Sequence, residues 1–551
     1  MSKIQKYRKQ LLLVLYLVLS IMMTVVINTK GIIWGGDDMV YHVGRLISLK
    51  SSFQSGVIIP NISTSNFGMI GYGINLFYPW ITMVPMVLIS LVIHDPITAY
   101  YCGLAFFMFV SFCLSHYVMK KFSNSNVQAI VFSLIYSLAN YRLIDVFSRA
   151  DLAEYIATVF LPLAFLGFYE TFFRDYKKWP VLAAGMSLLL LSHVLTTVIV
   201  AFFFVIILLA CWFMANDYRK RLKAVLAAIV TSVLASAIFL FPFLSEIFYQ
   251  KYQQPSPFVL RGKDPVGLLY SSLVNSADRS IDGNIYNIGI ILLIALVLGI
   301  FFFKSFNKLY RSIYLLAVLS FVMSMQIFPW FIFQKTPLNI IQFPFRFLAI
   351  TTLLMSVVAT QLFVRIFTNT ESIKKIGLAI GVLTVILMGL WTTSVNGALH
   401  KDYLTSPNQI VTKKSIKSKG IYEGYFEQYS PAAAQPYMKD IEGHIGYLNS
   451  GKTIMSLVPN KQYLKLKLKN LKKGTKVDLP VVKYRYSTVS INGQSQKVTK
   501  SHRGTVTVKT TKDYQTAQIN VGYKIGFLSW FSLIISLLTW LWLLLEIIYK
   551  D

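Results

Sequence analysis

The chain has 551 residues, 55% of them hydrophobic and only 14% charged, with a formal net charge of +30. So apolar a balance excludes an ordinary soluble domain and makes the bilayer part of the solvent of the fold. The positive excess does not call for nucleic acid, because in a membrane protein its default cause is Lys and Arg retained at the cytoplasmic ends of helices.

Hydrophobic runs of about 17 to 25 residues, long enough to cross a hydrocarbon core of about 30 Å, recur from Leu11 almost to the C-terminus. The first, 11–27, follows Lys3, Lys6, Arg8 and Lys9 and has no small-residue cleavage site, so it reads as a signal anchor with a cytoplasmic N-terminus. A polar loop, 31–76, comes next. Candidate spans follow near 77–93, 98–119, 127–141, 152–173, 179–194, 196–214, 222–243, 285–303, 311–330, 341–364, 374–394 and 525–548, about 13 hydrophobic segments in all. Cys102, Cys113 and Cys211 fall inside these runs and suggest neither disulfides nor a metal cluster.

The basic clusters Lys120-Lys121, 174–178, 219–223, 304–311 and 365–375 mark cytoplasmic loops. They agree with one another only if one candidate between the first loop and Lys177 does not cross. The suspects are 77–93, interrupted by Pro79 and Pro85, and the short 127–141, because irregular backbone at membrane depth needs a protein or cavity cover. The loops 31–76, 142–151, 244–284 and 331–340 then face outward, as does the polar stretch 395–524. Within 244–284, Pro255-Ser-Pro257 and Arg261-Gly-Lys-Asp264 belong to a loop long enough to cover a cavity opening.

From 395 onward the pattern changes. Lys465-Leu-Lys-Leu-Lys469, 477–486, 487–492, 504–509 and 518–523 alternate as strands, with turns at Lys473-Gly474, Asn492-Gly493 and Arg503-Gly504. The expected fold is a polytopic α-helical membrane protein of about 12 to 13 hydrophobic helices. It divides into a multi-helix domain 1–394, an extracytoplasmic β-sandwich-like domain 395–524 and a final transmembrane helix 525–551. The β-rich stretch holds about 22 basic against about 7 acidic residues, which suits either plain solvation or affinity for anionic lipid or an anionic wall polymer.

Candidate chemistry begins at Trp34-Gly-Gly-Asp37-Asp38, where two glycines and an acid suggest a turn capped by Asp37 into a helix. On that helix Asp38, His42 and Arg45 share a face at i, i+4 and i+7, beside an apolar stripe of Met39, Val43, Leu46 and Ile47. The structural alternative makes Asp37 only a cap and Asp38 only a partner of Arg45. Tyr78, Arg149, Asp151, Glu154, His193 and Arg346 sit at helix ends on the same expected side, where ionisable groups must be paired or face water. Each also has a plain role: an aromatic belt for Tyr78, an ion pair for Arg149 and Glu154, packing for His193, snorkelling for Arg346.

Asp37-Asp38 with His42 and Arg45, Gly71-Tyr-Gly-Ile-Asn-Leu-Phe-Tyr-Pro79, Tyr141-Arg-Leu-Ile-Asp145 leading to Arg149 and Glu154, Ser192-His193, and Gln342-Phe-Pro-Phe-Arg346 occur in an order that resembles a bacterial group. These are the membrane proteins labelled 6-pyruvoyl-tetrahydropterin-synthase-related, which are similar to GT-C glycosyltransferases. Alanine-aspartate at 150–151 departs from the small residues expected there and leaves the role of Asp151 open. The resemblance implies an outward-opening enzyme that takes a sugar from a polyprenyl-phosphate donor to a cell-envelope acceptor with inversion. Asp37 or Asp38 would be the general base. His42, Arg45, Tyr78, Arg149, Glu154, His193 and Arg346 would bind substrate. No cofactor is predicted; Asp37-Asp38 would suit a divalent cation such as Mg or Mn, but no third acidic ligand follows from spacing. The expected partners are the lipid-linked donor, an envelope acceptor that includes anionic wall polymers, and membrane lipid.

The rival is a transporter or flippase of a lipid-linked sugar or polymer precursor. Ion-coupled carriers bury acids or broken helices near the midplane, whereas the charges here stay at helix ends. A third reading, a wall-tethering protein working through its β-domain, leaves the polar clusters at the helix ends unexplained.

Overall fold

The computed structural model describes residues 3–212, 216–253, 259–278, 285–367, 372–405, 410–417 and 428–550. Each hydrophobic segment coincides with a helix or a pair of helices. Among the described residues, seven helices are long and apolar enough to cross a membrane, from Lys9–Ile27 at the N-terminal end to Phe527–Tyr549, and up to nine if two bent pairs each count as one span. The molecule is thus a polytopic helical membrane protein with a C-terminal β-sheet domain.

Both segments that the charge pattern marked are irregular. Over 77–93 the helix runs only from Ile81 to Val92, with Pro85 in its first turn; at 1.5 Å per residue it reaches about 18 Å, short of a hydrocarbon core. Over 127–141 the chain breaks between Asn126–Ser137 and Asn140–Val146, which meet at 45°. The break is covered by protein, as irregular backbone at that depth requires: Leu138, Ala139 and Asn140 are all buried, and Asn140 Nδ2 donates to the Ser276 carbonyl and to Asn287 Oδ1.

The β-domain has ten strands in two antiparallel sheets. They are β1 (Ile445–Leu448), β2 (Gly451–Ile454), β3 (Val458–Asn460), β4 (Tyr463–Leu471), β5 (Lys476–Val482), β6 (Ser487–Ile491), β7 (Gln494–Gln496), β8 (Thr499–Lys500), β9 (Thr505–Lys509) and β10 (Tyr514–Tyr523). One sheet runs β2-β1-β5-β9-β8 and the other β3-β4-β10-β6-β7. Alternate residues, among them Leu464, Leu466, Val477, Leu479, Val489, Val506, Ile519 and Val521, fill one apolar core. Asn492 and Gly493 both take positive φ and turn β6 into β7, the geometry an Asn-Gly pair favours. The strands from Ile445 to Asn460 carried no clear alternation in the sequence.

Buried polar contacts join this domain to the helices. Glu246, on the helix Ala237–Ile247, accepts from the hydroxyls of Tyr523 (2.9 Å) and Tyr252 (2.5 Å) and from the Arg485 backbone N–H (3.1 Å). The Tyr484 hydroxyl accepts from Gly73 N at 2.8 Å, and a side chain at Gly73 would strike the same ring. The described residues between 399 and 444 do not simply extend the β-domain. Val411 bridges back to Ile33, and Tyr429 stacks on Phe77 at 5.5 Å.

Candidate active site

Three spans begin at one cluster of charge. Asp151 caps Leu152–Phe173, His193 caps Val194–Cys211, and Arg346 stands in the first turn of Pro344–Phe367. Converging helix N-termini concentrate positive potential where an anion would be held.

The Trp34–Asp38 turn reaches this point because Gly36 has no side chain: a Cβ there would lie 2.8 Å from the Ala150 Cβ and 3.2 Å from the Arg149 carbonyl. Asp38 N–H then donates to the Arg149 carbonyl at 3.0 Å. Asp38, not Asp37, occupies the N-cap of Met39–Gln54, and its carboxyl makes no capping hydrogen bond. Asp37 is exposed. The expected capping of this helix by Asp37 is corrected accordingly.

Behind Asp38 lies a buried ion network. Arg149 Nη1 contacts Glu154 Oε2 at 2.7 Å and Asp145 Oδ1 at 3.2 Å, while its Nη2 holds Asp151 Oδ2 at 2.9 Å. Glu154 Oε2 also takes Arg346 Nε at 3.1 Å, and Oε1 takes the Tyr141 hydroxyl at 2.8 Å. His42 Nε2 meets Asp151 Oδ1 at 3.1 Å. Arg149 Nε stands 3.9 Å from Asp38 Oδ2. The Asp38 side chain is 44% exposed whereas those of Arg149, Asp151 and Glu154 are nearly inaccessible, so the Asp38 carboxylate is the accessible member of this network.

The environment separates the carboxyls. Asp38, open on one side but enclosed by protein on the others, is raised above the ordinary carboxylate range, first by that desolvation and then by Asp151, against the pull of Arg149. Burial would also raise Asp151, but Arg149 leads the opposing influences and holds it well below that range. Burial lowers His193 to about 4, a shift that Asp151 and Glu154 only partly oppose. At neutral pH the site therefore holds a neutral His193, an anionic Asp151 and a more basic Asp38, the kind of separation that divides proton-transfer roles.

Arg45 is buried and committed: Nη2 donates to the Pro79 carbonyl at 2.6 Å, and the guanidinium lies 4.1 Å from the Tyr78 ring centroid. Tyr78 in turn neighbours His42 at 6.0 Å and His193 at 6.1 Å. The His193 Nδ1 engages the Thr196 hydroxyl at 2.8 Å, and a nitrogen of its ring lies within 4.8 Å of carboxylate oxygens of Asp151 and Glu154. Arg45 thus holds the aromatic wall, and Glu154 orients two arginines.

Three further residues belong here. Asp151, whose role was open, is the hub joining His42 and Arg149. Asp145, visible in the sequence only as part of a motif, anchors Arg149. Lys263 was legible only as a loop charge. Its backbone is fixed on 324–326 by Lys263 N to the Ser324 carbonyl (2.8 Å) and Gln326 N to the Lys263 carbonyl (2.9 Å), an approach Gly262 permits. The Lys263 Nζ, Arg149 Cζ and Arg346 Cζ surround the Phe345 ring at 5.5, 5.2 and 5.9 Å from its centroid, and Tyr286 stacks on the same ring at 3.5 Å. The cover-loop motif Pro255-Ser-Pro257 lies outside the described residues.

Asp151, Glu154 and His193 each offer a ligand atom within 4.8 Å of the others, a set that could hold a divalent cation. In this structure guanidinium groups from Arg149 and Arg346 supply the positive charge to those carboxylates.

Fold and site together define a polytopic membrane protein whose membrane helices carry a buried charge network at one end, beneath a β-domain. No family model matches the chain. It is 22% identical over 321 residues to an uncharacterized protein of Lactococcus lactis subsp. cremoris (strain MG1363), covering 55% of this chain and about half (51%) of that relative. Among solved structures it is similar to the cryo-EM structure of arabinofuranosyltransferase AftD from mycobacteria, with a TM-score of 0.43 and 11% identity over 70% of this chain and 26% of the other.

Proposed function

We propose that the protein is a membrane glycosyltransferase that moves a sugar from a polyprenyl-phosphate donor to a hydroxyl of a cell-envelope acceptor, with site and β-domain on the outer face. The observation that carries the proposal is the half-exposed, raised carboxyl of Asp38 set against the buried Arg149 and Arg346 and the half-buried Lys263 where three helix N-termini meet.

Asp38 takes the proton of the acceptor hydroxyl as its oxygen bonds to the anomeric carbon. The bond from that carbon to the phosphate oxygen breaks on the opposite face, and the lipid phosphate leaves with the electron pair, which inverts the configuration. A phosphate leaving group needs cationic donors more than an acid. Arg346 Nη2 has no hydrogen bond among the described residues, and Lys263 Nζ lies beside the same ring; these two hold the phosphate. Arg149, spent on three carboxylates, positions Asp38 and Glu154. Tyr78 and His193 form the wall that meets the sugar.

Reconstituted vesicles given a labelled polyprenyl-phosphate sugar test the assignment. Formation of a glycosylated acceptor with release of the lipid phosphate is expected. Movement of intact donor across the bilayer without product would establish the flippase instead.

A further inference from the structure

A second site lies on the β-domain, away from the charge network. The outer face of the β3-β4-β10-β6-β7 sheet is set by register, since Leu464, Leu466, Ile519, Val521 and Val489 point into the core. The alternate positions of β4 are Lys465, Lys467 and Lys469, spaced about 6.6 Å apart along the strand. They pair with Asn520, Gln518 and Thr516 of β10, and Asn520 continues across the sheet to Ser490 and Ser495. Among the described residues none of the three lysines has an ion-pair partner. Between Ile445 and Lys524 the only acids are Asp478, buried on Arg503 at 3.0 Å, and Asp513, held at the Lys473 turn. The face is uniformly cationic.

Beside the lysines is a recess of about 550 Å³ whose wall carries the polar Tyr463, Thr488, Ser490, Ser495, Asn520 and Lys524 along with apolar groups of Val489 and Ile525. Two features prepare it for a hydroxyl-rich ligand. The Tyr463 ring lies over Gly522, where a Cβ would come within 2.4 Å of it, so one aromatic face is laid along the wall. The Asn520 amide stands in the same lining, its nitrogen donating to the Ser490 hydroxyl at 3.3 Å. Hydroxyl and amide groups of this kind exchange hydrogen bonds with the hydroxyls of a ligand.

We infer that this face binds an extended anionic polyol, a phosphodiester-linked chain of hydroxylated units, with phosphates on the lysine row and one unit in the recess against Tyr463 and Asn520. Charge complementarity of the lysine row selects a polyanion, and the hydroxyl and amide groups beside it suit a hydroxylated one. The inference stands whether or not the membrane site transfers sugar.

The full chain in nanodiscs of zwitterionic lipid, titrated with poly(glycerol phosphate) and with neutral dextran, tests it. Binding of the first and not the second is expected, weakening as salt rises. Replacing the row by Lys465→Gln, Lys467→Gln and Lys469→Gln should weaken binding about tenfold, about twofold per exposed charge contact. Lys→Arg at the same positions should retain it, and Asn520→Leu should weaken it without changing its salt dependence. Equal affinity for the two polymers, equal affinity of wild type and the Gln variant, or attachment only to nanodiscs of anionic lipid would overturn the inference.

Discussion

Glu154 offers the sharpest test of the buried network. It is fully buried and accepts at 2.7 Å from Arg149, 3.1 Å from Arg346 and 2.8 Å from Tyr141. Glu154→Gln keeps the shape but removes the charge, leaving two guanidinium groups short of an anion. Breaking a buried pair from one side costs about 3 to 5 kcal/mol. Because Arg346 then lacks one of the two cations' shared counter-charges, Arg346→Gln in the same chain should recover part of the loss, with a coupling of about 0.5 to 3 kcal/mol. Thermal or denaturant unfolding of the purified protein, single and double variants side by side, measures this. Strict additivity, or a Glu154→Gln protein as stable as wild type, would refute the network as drawn.

Gly262→Val would place a Cβ about 2.1 Å from the Met325 backbone, so it should displace Lys263 and raise the KM for the lipid donor more than it lowers kcat; an unchanged KM counts against Lys263 as a phosphate contact. Transfer should fall as pH drops through the raised carboxyl of Asp38, with the acidic limb above the value of about 3.9 for a free aspartate. The stability sign is opposite: the folded state binds that proton more tightly than the unfolded, so stability from this group is present at low pH and declines as pH rises through the folded value. Asp38→Asn should therefore unfold at neutral pH no earlier than wild type. Tyr484→Phe leaves the buried Gly73 N–H without its 2.8 Å acceptor, at a cost of about 1 to 3 kcal/mol, readable as earlier proteolysis of the β-domain.

The helices were legible because length and hydropathy alone decide whether a segment tolerates a bilayer, and the Lys-Leu alternation of β4 shows its two faces directly. The side-sharing of Asp38, His42, Arg149, Glu154, His193 and Arg346 also followed from helix ends. What escaped depends on distant contacts. Ala150 takes φ +53°, which swings Asp151 to the hub, and nothing in a local pattern announces that backbone. Lys263 is placed by pairing with residues more than fifty positions away. The capping of Met39–Gln54 differed because Asp38 N–H is drawn to the Arg149 carbonyl, a tertiary bond that outcompetes local capping. The commitment of Arg45 to Pro79 and Tyr78 was equally invisible to spacing.

The most direct test is transfer by reconstituted Asp38→Asn protein with a labelled polyprenyl-phosphate sugar and an envelope acceptor. With Asp38 as the base, the rate falls by about 10² to 10⁴ while membrane abundance, unfolding and donor binding stay at wild-type values. Transfer at the wild-type rate would contradict the assignment of Asp38.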